Sequence, residues 1–301
     1  MIVKLKMFLA PTVLLILISL LGAYAQTENK SEWQPVEQAI GRPGQAQPDG
    51  AYKFSFPRSD FKVTVADVEL KPALALGGWV AFSKPGAGSM VMGDLVLSED
   101  EVAPVMSSLE NSGLQITALH NHLLHESPRV MYMHIGGHGD AVKLAGAIKQ
   151  AFALTKIPAP KPAAAAQQDI GIDTKAIEQA LGHSGKINGG VFQVSVPRNE
   201  SITEGGMKVP NSMGLTTGLN FQPTGGGKAA ITGDFVLIGS EVNPVIQALR
   251  GNSIAVTAVH SHMLDEQPRL FFMHFWANDD AAKLAKGLRA ALEKTNSQKG
   301  K

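Results

Sequence analysis

The chain has 301 residues, 27 Lys and Arg against 26 Asp and Glu, a formal charge of +1, and no cysteine. That balance, with basic residues scattered rather than massed, argues against a nucleic-acid partner. The missing cysteines exclude a disulfide framework and any thiolate site, so a bound metal must rely on imidazole and carboxylate. At roughly 100–200 residues per domain the length predicts about two domains, each able to bury a core.

Lys4 and Lys6 precede an apolar run from Met7 to Leu21, and Ala23-Tyr24-Ala25 follows as a small-x-small cleavage site. This pattern predicts a secretory signal peptide over residues 1–25 and an exported protein, periplasmic or extracellular. The competing reading is an uncleaved anchor, against which Pro11 and the Ala-x-Ala end argue. Cleavage would bring the formal charge to about −1, since both lysines leave with the peptide.

The rest of the chain repeats itself. Glu37-Gln38-Ala39-Ile40-Gly41 returns as Glu178-Gln179-Ala180-Leu181-Gly182, an offset of 141. At an offset of 140, Pro57-Arg58 matches Pro197-Arg198, Gly93-Asp94 matches Gly233-Asp234, and Glu101-Val102 matches Glu241-Val242. A period this long marks a duplicated domain rather than a solenoid. The expected division is a first repeat at 26–154, a Pro/Ala linker at 155–170, a second repeat at 171–296 and a tail at 297–301.

In chain order, each repeat reads as a short helix (Glu37 to Ile40; Thr174 to Leu181) leading to a strand that ends in Pro-Arg. Strands are expected at Lys62 to Val68, Trp79 to Phe82 and Val91 to Leu97. In the second repeat, Thr216 to Gly227 reads as Gly- and Asn-rich sequence replacing the middle of this stretch. Ser98-x-x-Glu101 is a capping box, and Val102, Val105, Met106 and Leu109 fall on one helical face before Gly113. Pro104 sits within that helix. Strands at Leu114 to Leu124 and Arg129 to Ile135 follow, and a last helix starts near Asp140. The predicted class is α+β, two tandem copies of a mainly antiparallel sheet packed with helices.

Eight of the nine histidines lie in two matching stretches, Leu119 to Gly139 and Val259 to Asp279. A strand period of two puts Ile116, Ala118, His120, His122 and Leu124 on one face. A hairpin with a loop of about five residues would set His120 opposite His134, so that three imidazoles share that face. His260, His262 and His274 are expected to do the same in the second repeat. Three histidines with an open or carboxylate position suit Zn²⁺ best, with Fe, Cu and Ni as alternatives. The plainer alternative is a set of hydrogen-bonded core histidines.

Glu126 and Glu266 are candidates for fourth ligand, ligand-orienting partner or general base. Arg129 and Arg269 are candidates for holding an anionic group, or for simple ion pairs with Glu126 or Asp94 and their counterparts. His125 and His138 have Asp265 and Asn278 as counterparts and read as solvated turn residues. Met131, Met133 and Met273 alternate with the histidine face and read as packing the opposite layer. His120-Asn121-His122 lacks the ββα spread and basic surroundings of an HNH nuclease. His125-Glu126-Ser127-Pro128-Arg129 lacks the second histidine and the helix of a zincin.

Thr117-Ala118-Leu119-His120-Asn121-His122, then Glu126-x-Pro128-Arg129, Met133-His134 and Gly139-Asp140-Ala141, together resemble the LppY/LpqO family of bacterial exported proteins. The resemblance extends to Gly93-Asp94-Leu95-Val96-Leu97 and to Thr257-Ala258-Val259-His260-Ser261-His262. It implies export and a duplicated domain but no established activity. Some members carry an acylated cysteine, which this chain lacks.

Three functions follow from these residues: an exported metal-binding protein, a metal-assisted hydrolase, or an envelope module whose histidines bind a small ligand directly. None needs nucleic acid or a stable membrane span after cleavage, and the two repeats are free to pack on each other.

Overall fold

A computed structural model describes residues 32–160 and 169–300. The signal-peptide expectation falls on residues 1–25, outside the described residues. Among the described residues, no helix is long and apolar enough to cross a membrane.

The first repeat opens with α1 (residues 32–40), longer than the four residues expected because Trp33 and Val36 extend its buried face. It continues through β1 (Gln45–Ala46), β2 (Tyr52–Pro57), β3 (Thr64–Val65), β4 (Val68–Glu69), α2 (Pro72–Ala75), β5 (Gly77–Phe82), β6 (Ser89–Ser98), α3 (Glu99–Asn111), β7 (Gln115–His120), β8 (Val130–Gly139) and α4 (Ala141–Phe152). The second runs α5 (Thr174–Leu181), β9 (Gly185–Asn188), β10 (Val191–Pro197), β11 (Thr203–Glu204), β12 (Met207–Lys208), β13 (Thr216–Gly225), β14 (Lys228–Ile238), α6 (Gly239–Gly251), β15 (Ala255–His260), β16 (Leu270–Asp280) and α7 (Ala281–Leu292). Each repeat forms one six-stranded antiparallel sheet, ordered β1-β2-β5-β6-β8-β7 and β9-β10-β13-β14-β16-β15. The α+β class and the tandem duplication are as the sequence predicts.

The capping box forms at α3, with the Glu101 carboxylate accepting from the Ser98 N–H at 3.0 Å. Asp140 caps α4 by accepting from the N–H groups of Val142 and Lys143. Glu101 also receives Arg58, whose fully buried guanidinium donates to both Glu101 oxygens, to Asp60 and to the Val96 carbonyl. Arg198, Glu241, Glu200 and the Val236 carbonyl reproduce this network in the second repeat. The repeated Pro-Arg and Glu therefore join the strand edge to the start of the helix.

Two expected elements differ. The strand at Lys62 to Val68 is the two-residue hairpin β3–β4, because Ala66 and Asp67 have φ of 46° and 64°, the left-handed pair of a tight hairpin turn. Thr216 to Gly227, read as Gly- and Asn-rich replacement sequence, is largely strand β13. Its Thr217, Leu219 and Phe221 are buried, while Asn220 and Gln222 donate to the carbonyls of Leu74 and Glu69 in the first repeat. Part of its polar composition serves an inter-repeat contact.

Each sheet has two buried faces. One carries its own helices, with Phe54, Val80, Leu95, Met133 and Ile135 packed on Leu144 and Ile148 in the first repeat. Met133 and Met273 both lie in these helix-side cores, as their alternation predicts. The other face meets the second repeat, where Ala81, Met90 and Met92 pack with Met213, Met263, Leu270 and Phe272. A matching cluster joins Leu76, Val96 and Tyr132 to Val191 and Ala230. The order is helices, sheet, sheet, helices, and the histidines lie between the sheets.

Candidate functional site

His134 is on β8, flanked across the sheet by Asp94 of β6 and Ala118 of β7. His120 closes β7 opposite Tyr132, not opposite His134, so the expected pairing is corrected by two residues. The cause lies in the loop, which runs from Asn121 to Arg129 instead of about five residues. Asn121 Nδ2 donates to the Val130 carbonyl at 2.7 Å, and the Val130 N–H donates to Glu126 Oε1 at 3.1 Å. These side chains take the backbone groups that a longer β7 would have paired. A bulge between Ile116 and Ala118 further changes the alternation, leaving Ile116 against the helix-side core. A shift of two residues preserves the face, so His120 and His134 still share it.

The two sets of three histidines, one from each repeat, meet. His120 stacks on His260 with ring centroids 3.7 Å apart, His122 on His274 at 3.7 Å, and His134 on His262 at 3.6 Å. These pairs exchange under the operation that swaps the repeats, so the histidines surround an internal pseudo-two-fold axis. Within a repeat, His120 lies 5.1 Å from both His122 and His134, and His260 lies 4.8 Å from both His262 and His274. Tyr132 and Phe272 back the cluster, stacked on His122 and His262. Thr257 Oγ1 donates to the His122 carbonyl at 2.6 Å, tying the second repeat to the first.

The Nε2 atoms of all six rings are buried and have no hydrogen-bond partner. His274 shows why one faces the centre: its Nδ1 engages the Gly233 carbonyl at 2.8 Å, leaving Nε2 as the lone-pair nitrogen. Burial lowers the His120 pKa to about 4 and, with the neighbouring His120, that of His260 to about 3. His122, His134, His262 and His274 are held well below the ordinary imidazole value, first by burial and then by neighbouring histidines, His120 and His260 among them in each case. Neutral imidazole is the form that binds metal. Among the described residues, ligand atoms within 4.8 Å of one another form two sets: His120, His122 and His134, and His260, His262 and His274 with His120.

Two carboxylates border the cluster. Asp94 Oδ1 is 3.8 Å from His134 Nε2, and Asp234 Oδ2 is 3.7 Å from His262 Nε2. Both gaps are too long for a hydrogen bond. Burial raises the Asp94 pKa to about 7, and burial together with Asp94 raises that of Asp234 well above the carboxylate range. Sequence reasoning aligned both aspartates without placing them at the site. The available signal was an acid repeated within an otherwise apolar strand, on the face that the period assigns to His134.

Glu126 and Glu266 do not join either ligand set. Glu266 is fully buried, accepts the Leu270 N–H and pairs with Arg269 at 3.2 Å, the simple ion pair weighed for that arginine. Arg269 also donates to Ser261 Oγ. Glu126 holds the corresponding turn, but its Oε2 is buried without a partner and burial raises its pKa to about 7. It lines a surface pocket with Asn121, Leu123, Leu124, His125 and the exposed Arg129.

No curated protein matches the chain. Two solved structures align over most of it: a trimeric bacterial microcompartment shell protein, PduB, and EtuB from Clostridium kluyveri. PduB is 11% identical, covering 83% of this chain and 89% of that one with a TM-score of 0.22. EtuB is 8% identical, covering 83% and 90% with a TM-score of 0.19. Likenesses this low carry no argument about this chain. A family model does match it twice, at residues 34–154 and 175–294, each match enclosing one six-stranded sheet and three of the six clustered histidines. The chain therefore belongs to the family described as Domain of Unknown Function (DUF1259), which it carries in two tandem copies.

Proposed function

We propose that this protein binds a divalent transition metal at a composite histidine centre to which both repeats contribute. The observation that carries this reading is the set of six buried, unpartnered Nε2 atoms on His120, His122, His134, His260, His262 and His274. A buried polar atom without a partner costs about 1–3 kcal/mol, and six together are difficult to explain as core packing. A metal ion supplies a partner to each. Zn²⁺ suits a neutral nitrogen set with nearby carboxylate best, and Fe, Cu and Ni accept the same ligands. Export to the periplasm or beyond, and placement in the LppY/LpqO group, belong to the same proposal and rest on the N-terminal pattern and the quoted motifs.

The test is metal analysis of untagged protein beside a His120→Ala/His122→Ala variant. The wild type should retain metal through gel filtration and the variant should lose much of it. Equal content in both would sink the reading.

A second reading, a metal-assisted hydrolase with Glu126 as general base and Arg129 orienting an anionic substrate, is favoured by one observation. The Glu126 carboxyl combines a raised pKa with an unpartnered oxygen in an open pocket. It ranks second because that carboxylate joins neither ligand set. A screen of esters, phosphoesters and amides addresses it, and any activity found should disappear in Glu126→Gln.

A further inference from the structure

We infer that the centre takes two metal ions, one per repeat, each held by three imidazoles and one aspartate. His120, His122, His134 and Asp94 form the first site, and His260, His262, His274 and Asp234 the second. This inference rests on the metal-binding reading above and adds the number of ions and the role of the two aspartates.

The metal lies in the ring plane on the nitrogen lone pair, with a metal–nitrogen bond of about 2.1 Å and so about 3.2 Å from metal to ring centroid. Two rings sharing an ion then have centroids about 4.5 Å apart at a right-angled bond angle and about 5.2 Å apart at the tetrahedral one. The distances from His120 to His122 and His134, both 5.1 Å, and from His260 to His262 and His274, both 4.8 Å, fall in that interval.

The pairs between repeats do not. Their centroids are 3.6 to 3.7 Å apart, which would force a bond angle near 70° by the same bond lengths. At that separation, unlike the 4.8 to 5.1 Å of the similarly parallel pairs within a repeat, near-parallel rings lie one over the other, so their in-plane lone pairs run side by side instead of meeting. Every histidine pair with centroids closer than 4 Å takes one ring from each repeat. If these close partners serve different ions, the six rings divide into two sets of three, and the spacings assign one set to each repeat, because His120 lies 5.7 Å from both His262 and His274. The ligand-atom sets agree, apart from His120, which also lies near the second set.

The aspartates complete the sets. Asp94 Oδ1 and His134 Nε2, both buried and unpartnered, are 3.8 Å apart. That separation suits two ligands of one ion with bonds of about 2.0–2.2 Å. In the second repeat Asp234 touches a different histidine: its Oδ2 is 3.7 Å from His262 Nε2, while its Oδ1, unpartnered like that of Asp94, is 4.0 Å from His274 Nδ1. Three imidazoles and one carboxylate make a closed tetrahedral shell, or a five-coordinate one that admits water.

The experiment is a titration of metal-free, full-length untagged protein with Co²⁺, reading visible absorption, with Zn²⁺ stoichiometry checked by elemental analysis after gel filtration. Two equivalents are expected in the wild type. His122→Gln/His134→Gln and His262→Gln/His274→Gln should each retain one, and Asp94→Asn should weaken one of the two ions at least tenfold while sparing the other. Wild-type saturation at one equivalent overturns the two-ion assignment and leaves the metal reading intact, and this outcome does not depend on whether any variant folds. No binding at all overturns both. Two equivalents in the wild type with unchanged binding in Asp94→Asn removes the aspartate from the shell.

Discussion

The strands that carry the site depend on two glycines that are equivalent by sequence but unequally placed. A Cβ added at Gly233 would overlap the Gly218 carbonyl oxygen of β13, with the Gly218 carbonyl carbon at 2.8 Å and the Phe275 ring at 3.2 Å. Backbone on the neighbouring strand cannot turn aside, so Gly233→Ala must push β13 and β14 apart. Overpacking costs about 1–3 kcal/mol, and each weakened ladder hydrogen bond adds about 1 kcal/mol, giving a loss of about 3–5 kcal/mol. At Gly93 the Cβ would meet Ile135 Cγ1 and the Trp79 carbonyl at 3.0 Å and Val80 Cγ2 at 3.2 Å. Small side-chain shifts relieve much of this, and about 1–2 kcal/mol is expected for Gly93→Ala. For a chain of this size 1 kcal/mol corresponds to about 2–4 °C in Tm. Thermal melts of the metal-free proteins should therefore show Gly233→Ala falling by roughly 10 °C and Gly93→Ala by only a few degrees. Gly233 also offers its carbonyl to His274 Nδ1, so the same variant should weaken metal binding by the second repeat first. A Gly233→Ala melt within about 2 °C of wild type, or no lower than that of Gly93→Ala, would refute the reasoning.

Arg58→Met and Arg198→Met should each cost about 3–5 kcal/mol, because each strands a buried carboxylate; losses under 1 kcal/mol in chemical denaturation would mean these pairs behave as surface pairs. At Glu101, burial pushes the pKa up, but hydrogen bonds from Arg58 and from the Lys156 and Ser98 N–H groups outweigh it and hold the pKa below the ordinary value. Its contribution is therefore fully present above that ordinary value and is lost as pH falls through it towards the lowered folded one. Stability measured between pH 6 and pH 3 should fall more steeply in wild type than in Glu101→Gln, and parallel curves would contradict this. Stripping metal with a chelator should lower Tm, since an ion at a hundredfold its Kd adds about 2.7 kcal/mol per site; an unchanged melt in protein proven to be metal-loaded beforehand would count against binding to the folded state.

The repeat, the α+β class, the capping box and the six histidines are all legible in the sequence, because each is written in local pattern or in self-similarity. What was not legible depends on contacts between residues distant in sequence, within a copy and between the copies. The Gly- and Asn-rich run of β13 shows no strand pattern on its own, because Asn220 and Gln222 find their partners in the first repeat. The pairing of His120 with Tyr132 depends on Asn121 and Glu126 occupying Val130, which spacing alone does not show. Asp94 and Asp234 carry no motif, and only the strand register aligns them with His134 and His274.

The same dependence explains why duplication matters for the centre. β7 and β15 are edge strands, and their ends bring His120 and His260 together across the pseudo-two-fold axis. Alone, either repeat would leave three imidazoles and the apolar inner face of its sheet open to water, where the imidazoles would protonate near their ordinary pKa. Joined, each repeat supplies the cover that dries the other's histidines, and that burial holds all six rings neutral. Protonation would set positive rings 3.6 to 3.7 Å apart in a dry interior, so the stacked pairs oppose it. The aspartates respond in the opposite sense and hold protons when no cation is present. An entering dication reverses that condition by ionising the carboxylates while the imidazoles remain neutral. Metal uptake should thus release protons from Asp94 and Asp234 rather than from histidine. In weakly buffered solution near pH 6, proton release on Zn²⁺ addition should fall in the Asp94→Asn variant, and identical release from both proteins would place the protons elsewhere.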